Sequence, residues 1–212
     1  MIPRLTILLS ALLLAAGCTS VKYSALEKVG VYKRDILVDR VEDAQEAQLE
    51  AKEEIASAYE QFTGLVQFDG GDLEAIYKRL NAKVEDTRES VDEVDQRIAA
   101  IEQVAGDLFK EWREELGQYS NASLRRSSEQ KLEDTRRRYG NMITTMKNAR
   151  SRIDPVLSVF EDQVLFLKHN LNARAVAALK GEVGSIGSKV DRLIQDMNKA
   201  IAEADSFIQT MK

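Results

Sequence analysis

The chain has 212 residues, 30 basic and 35 acidic side chains (formal charge −5), two prolines, and one cysteine, one histidine and one tryptophan. A hydrophobic fraction of 44% excludes general disorder, and so few prolines argue against a loop-rich β-sandwich and for long helices. One cysteine excludes an intramolecular disulfide and a Cys-based zinc site, and one histidine leaves little for a His-based metal site or a triad.

Residues 1–17 read as an export signal. Arg4 supplies the charged region, Leu5 to Leu14 the apolar run, and Ala15-Ala16-Gly17 leads into Cys18. The run is too short to span a bilayer, which needs about 20 residues. Ala15-Ala16-Gly17-Cys18 resembles a bacterial lipobox, with Leu14 one residue further back than such boxes usually carry Leu. The resemblance implies cleavage before Cys18, a diacylglycerol on its thiol and an acyl group on its amine. Several acyl chains at roughly 0.8 kcal/mol per buried CH₂ give durable anchoring. Thr19 stands where lipoproteins kept at the inner membrane carry Asp, which by the same likeness implies the periplasmic face of a Gram-negative outer membrane.

The mature chain, residues 18–212, reads as one all-α domain of four helices over residues 24–66, 72–117, 122–169 and 173–211. Apolar residues alternate three and four apart, as in a coiled-coil or bundle seam. The first segment carries Leu37, Val41, Ala44, Gln48, Ala51, Ile55, Ala58, Phe62 and Leu65. Phe68-Asp69-Gly70-Gly71-Asp72 breaks it, with Asp72 as the next N-cap. The second runs Leu73, Tyr77, Leu80, Val84, Thr87, Val91, Val94, Ile98, Ile101, Ala105, Leu108 and Trp112, and ends in the polar Gly117–Ser123 cluster.

The third carries Leu132, Thr135, Tyr139, Met142, Met146, Ala149, Ile153, Val156 and Phe160, then slips to Val164, Leu167 and Leu171. Pro155 predicts a kink near Arg152. A phase change after Leu171 predicts a turn at His169–Asn172 with Asn172 as N-cap; a continuous helix is the alternative. The fourth has Val176, Leu179, Val183, Ile186, Val190, Leu193, Met197, Ala200, Ala204, Phe207 and Met211.

Rods of this length with short connections give an elongated, antiparallel four-helix bundle. Residues 25–66 carry a net −5 and residues 72–118 a net −6, whereas residues 122–170 carry +4 and can lie beside both acidic helices. A helix starting near Tyr23 would hold the bundle within roughly 20 Å of the membrane at Cys18. The membrane-near end then holds the Gly117–Ser123 turn, Arg125, Arg126 and the C-terminus. The far end holds the Phe68–Asp72 and His169–Asn172 turns.

Lys33-Arg34-Asp35-Ile36-Leu37-Val38 and Leu167-Lys168-His169-Asn170-Leu171-Asn172-Ala173 resemble an uncharacterised group of proteobacterial lipoproteins, domain-of-unknown-function family 2959. The likeness covers nearly the whole mature chain. It implies an exported helical lipoprotein and brings no activity, cofactor or site residue with it.

Residue chemistry narrows the function further. Gly181, Gly184 and Gly187 before Ser188-Lys189 lack the spacing of a phosphate loop and suit close helix packing instead. A bundle metal site needs Glu-x-x-His pairs, and Phe166 stands three residues before His169, the sole histidine. His169 suits a helix C-terminus. Asp92, Glu93 and Asp95 read as a solvated face. Arg136-Arg137-Arg138, with Arg125, Arg126, Lys131, Lys147, Arg150 and Arg152, read as partners of the acidic helices rather than a nucleic-acid surface. Trp112 and Met197 read as packed core.

The sequence therefore points to a non-enzymatic structural or adaptor element of the envelope, without cofactor or metal. Cys18 would carry lipid, Arg125 and Arg126 would meet headgroups, and Phe68, Asp69, His169 and Asn170 would form a far end for a protein partner. The alternative is a carrier that takes up a lipid or apolar molecule near Ala44–Ala58. The same register would also serve a homo-oligomer.

Overall fold

A computed structural model describes residues 32–212 except 69 and 71. Cys18, Asp69 and the proposed signal lie outside the described residues. Those described form an all-α helical bundle: α1 Lys33–Val66, α2 Leu73–Glu115, α3 Ala122–Ser151, α4 Asp154–His169, α5 Ala173–Leu179 and α6 Val183–Met211, with a 3-10 turn at Leu116–Gln118.

The seam residues become the core. All nine α1 positions named above are buried, as are Leu80, Val84, Thr87, Val91, Val94, Ile98, Ile101, Ala105 and Leu108 of α2. Leu73, Tyr77 and Trp112, at the two ends of α2, are half-buried. Gln48 sits in this core with its Oε1 lacking a hydrogen-bond partner, flanked along the stripe by Ala44 and Ala51.

Cross-helix pairs fix the order of neighbours. Lys33–Glu111 (2.7 Å), Arg97–Asp43 (3.3 Å) and Lys83–Glu54 (2.9 Å) run α2 antiparallel to α1. Lys147–Glu102 (2.5 Å), Arg150–Asp95 (2.7 Å) and the Arg88–Glu161 pair lay α3 and then α4 back along α2. α6 returns along α1 through Gln45 Nε2 to the Ile201 carbonyl (3.1 Å) and Lys212–Glu42 (3.0 Å), and along α3 through Arg152–Asp196. The basic α3 therefore lies beside α2 and α6, with α1 across the diagonal. The rod expected over residues 122–170 still meets both acidic helices, because its second part, α4, reaches α1 through Phe62–Phe160. Arg136 and Arg137 pair with Glu133 and Asp134 of their own helix.

Three boundaries differ from the sequence expectation. α1 starts at Lys33, not near Tyr23, because Tyr32 is extended (φ −93°, ψ 157°) and its N–H donates to Asp35 Oδ2 at 3.2 Å. Residues 18–31, on which the expected start near Tyr23 and the 20 Å limit on stand-off rest, lie outside the described residues. The third rod does more than kink. Pro155 lacks an N–H for the Ser151 carbonyl, so the helix ends and Arg152 and Ile153 close short bonds to Ala149 (3.1 Å) and Arg150 (3.0 Å). Ile153 stays buried, so the core stripe passes through the break.

The fourth rod is also broken. Lys180 and Glu182 donate to the Ala177 (3.3 Å) and Leu179 (3.0 Å) carbonyls around Gly181, a poor helix former. Val183 is only half-buried there. The predicted turn after His169 is present, and Asn172 Oδ1 caps α5 by accepting from the Arg174 and Ala175 N–H groups (3.1 and 3.0 Å). Asp72 and Asn121 cap α2 and α3 in the same way.

Aromatic contacts tie the rods together. Phe62 meets Phe160 edge to face at 6.3 Å, and the Tyr139 ring meets Phe109 at 5.4 Å and Phe207 at 6.4 Å. Burial, with a smaller push from Glu102, raises the Tyr139 hydroxyl to about 12.

Candidate functional site

The two ends of the bundle differ in what they expose. One end gathers the start of α1, the end of α2, the start of α3 and the C-terminus. Arg125 and Arg126 lie here, both exposed and neither ion-paired among the described residues. Trp112 donates its Nε1–H to Ser128 Oγ at 2.9 Å, which pins α2 to the first turns of α3. Trp112 is thus a half-buried strut between two helices, and Met197 is core.

The opposite end gathers the α1–α2 turn, the α4–α5 turn and the start of α6. Gly70 has φ +149°, a conformation that favours glycine and lets the chain reverse there. Phe68 is half-buried and packs against the core. His169 and Asn170 are exposed at the end of α4. The Phe62–Phe160 ring contact and the Arg88–Glu161 pair bring the C-terminal half of α4 to this end. The structure places Phe68, His169 and Asn170 at one end of the bundle, with no hydrogen bond between them among the described residues. His169 is the last residue of α4, at the helix C-terminus where it was expected, and the next residue, Asn170, donates its Nδ2–H to the Phe166 carbonyl at 3.0 Å.

Sequence reasoning missed the residues that dominate this end. Leu165 (58% exposed), Phe166 (40%) and Leu171 (36%) form an apolar group around His169. Leu171, assigned to the seam, faces solvent because α4 has ended before it. Val164 and Leu167 use up the buried face of α4, so Leu165 and Phe166, 100° apart on the helix, fall on the outer side. The signal was an apolar run, Val164 to Leu167, wider than one stripe. From Gln163 to Gly181 the chain has Lys168, Arg174 and Lys180 and no carboxylate, while Glu161 and the exposed Asp162 lie one turn earlier on the same side of α4. Single exposed apolar residues are ordinary; several close together in the chain mark a candidate interaction surface.

Concave features elsewhere are polar and open. One groove of about 430 Å³ lies between α1 and α2, lined by Glu50, Glu54, Asp86, Glu89, Ser90 and Glu93. Lys83 bridges Glu54 and Asp86 and is held protonated above its ordinary range mainly by hydrogen bonds to them. A smaller one of about 110 Å³ lies between α3 and α6, lined by Thr145, Arg152, Asp196 and Lys199 among others. Ala44, Ala51 and Ala58, where a carrier would open, are fully buried. Among the described residues no group of three or more His, Cys, Asp or Glu side chains is placed to hold a metal ion. Among them no helix is long and apolar enough to cross a membrane.

Of Gly181, Gly184 and Gly187, Gly187 alone is closely packed: a β-carbon there would overlap Tyr59 Oη. Gly181 and Gly184 have nothing within 4 Å.

No curated protein and no solved structure matches this chain. A family model described as a protein of unknown function, DUF2959, matches residues 22–211, which contain every helix of the bundle. The chain belongs to the DUF2959 family.

Proposed function

We propose that this protein is a lipid-anchored, non-enzymatic adaptor of the bacterial envelope. Acylated Cys18 holds it to the periplasmic face of the outer membrane, and the end carrying the α4–α5 turn engages another envelope protein. The observation that carries this reading is the exposed Leu165–Phe166–Leu171 group, which lies at the end of the bundle away from the start of α1. The charged residues around it, Asp162, Lys168 and Arg174, suit a partner surface with an apolar centre and a polar rim. Tightly buried alanines support packed rods over a carrier with an interior site.

Two measurements test the proposal. The intact mass of the protein from native membranes is expected to start at Cys18 with acyl groups added, and to lose them in Cys18→Ala. A photo-crosslinker replacing Phe166 is expected to give one discrete adduct in cells, absent when it replaces the exposed Glu60 on the flank of α1. An unacylated mass would remove the anchor, and equal adducts at both positions would remove the docking end.

A further inference from the structure

We propose that the corner built from the end of α2, the Gly117–Asn121 turn and the first turns of α3 is a binding surface for anionic lipid headgroups. The bundle then rests on the bilayer through its own side chains. This deepens the anchored reading above and is testable without the anchor.

The first observation is an overhang. From the level at which the Tyr139 ring meets Phe109 and Phe207, α3 continues to Ala122, seventeen residues or roughly 25 Å. α6 continues only from Phe207 to Met211, roughly 6 Å. The stripe of α3 that is buried further along at Leu132, Met142 and Met146 therefore runs out past its neighbour. Leu124 and Arg125 extend that stripe by helical spacing, and both are exposed, Leu124 to 58%. Tyr119, in the adjoining turn, is 42% exposed.

Charge gives the second observation. The first turns of α3, residues 122–131, carry Arg125, Arg126 and Lys131 against Glu129 in a chain that is acidic overall. Glu133 and Asp134 are taken up by Arg136 and Arg137. Arg125, Arg126, Lys131 and Arg138 have no carboxylate partner among the described residues. Glu114 and Glu115 close α2 at the same end. Glu115 follows by four the Glu111 that pairs with Lys33 of α1, so it lies on the flank toward α1. Arg113 follows by four Phe109, whose ring faces α3.

The third observation is the start of α1 at Lys33, at this same end. The segment that leads from Cys18 therefore joins the bundle at this corner. Guanidinium groups match phosphodiester oxygens in pairs, while Tyr119 and Leu124 suit the boundary between headgroup and acyl chain. Exposed aliphatic and phenolic groups set among the cations favour a lipid surface over a nucleic acid.

The test uses the chain beginning at Thr19, which keeps the whole buried core and lacks the acylated cysteine. It is floated with vesicles of phosphatidylcholine alone or mixed in equal parts with phosphatidylglycerol. The chain is expected to float with the anionic vesicles only, and to come off as salt is raised. Arg125→Gln, Arg126→Gln and Lys131→Gln together lower partitioning roughly a hundredfold. Leu124→Ser lowers it roughly tenfold. Arg174→Gln, Lys180→Gln and Lys189→Gln together leave it unchanged, with circular dichroism checking that both triple variants keep their helix.

Equal flotation with both vesicle types, no flotation, or equal loss in the two triple variants would overturn the proposal. So would a dimer in sedimentation that the first triple variant dissociates, because a second copy would then cover the corner. Each of these outcomes leaves the acyl anchor standing, since Cys18 is absent from the chain tested. A missing acyl mass on Cys18 leaves this surface standing in turn.

Discussion

The α1–α2 hairpin and the α3–α6 half share one apolar spacing and use it differently. The hairpin is two uninterrupted helices of 34 and 43 residues, joined along their length by Lys33–Glu111, Arg97–Asp43 and Lys83–Glu54. The other half is four shorter helices with breaks at Arg152–Ile153 and Lys180–Glu182. Together with the turn that leads into it, it holds Tyr119, Leu124, Leu165, Phe166 and Leu171, five of the seven large hydrophobic residues exposed among the described residues. Exposed apolar side chains thus gather in the half with interrupted rods, while the unbroken hairpin keeps nearly all of its own buried. The proposed surfaces lie in that broken half and the turns at its ends.

Phe62 tests whether the two halves share one core. It is fully buried on α1, and its ring meets Phe160 of α4 edge to face. Phe62→Ala should destabilise the bundle by about 3–5 kcal/mol, the cost of a large core truncation. Urea unfolding followed by Trp112 fluorescence and by helix signal should move together, as one cooperative transition. A loss below about 1 kcal/mol, or two separated transitions, would mean that the halves fold independently.

Much of this contrast is visible in the residues themselves. The nine α1 seam positions, the Asp72 and Asn172 caps and the turn after His169 all follow from spacing and capping chemistry. Those signals are local, one turn of helix at a time. The break at Lys180–Glu182 was missed because Leu179, Val183 and Ile186 preserve their spacing across it; periodicity is blind to a turn that keeps phase. The start of α1 was missed because a tyrosine is not a usual cap, and the acceptor sits three residues on, at Asp35. The exposed group at Leu165 and Phe166 was missed because a sequence marks residues as apolar, and only the placement of neighbouring helices shows which are left uncovered. Arg125 and Arg126 were legible as cations, but the overhang that frees them depends on where α6 stops.

The glycines near the second break sharpen the contrast on a smaller scale. Gly187 is buried where α6 approaches α1, and a β-carbon would overlap the Tyr59 hydroxyl, which donates to the Val183 carbonyl at 3.4 Å. Gly187→Ala should destabilise by about 1–2 kcal/mol, overpacking outweighing the gain in helix propensity. Gly184→Ala meets nothing within 4 Å and should stabilise by about 0.5–1 kcal/mol. Thermal denaturation of the two variants, and of Gly187→Ala combined with Tyr59→Phe, reads the sign directly. If the double change fails to recover part of the loss, the hydroxyl is not the obstacle.

The smallest expected effects come from two caps with the same chemistry and different surroundings. Asn172 accepts from two N–H groups at the start of α5, a seven-residue helix too short to persist alone, with Ala175, Val176 and Leu179 buried beneath it. Asn172→Ala should therefore cost about 1 kcal/mol of global stability, and Asn172→Asp should keep it by restoring an acceptor with favourable charge. Asn121 makes the equivalent bonds to Ser123 and Leu124, but the turns it caps are exposed. Asn121→Ala should fray that end locally, seen as faster hydrogen exchange over residues 123–126, with almost no change in the urea midpoint. Equal midpoint shifts for Asn121→Ala and Asn172→Ala would show that the first turns of α3 are covered in solution. In that case the corner is core rather than surface, and the division between scaffold and surface would have to be redrawn at that end.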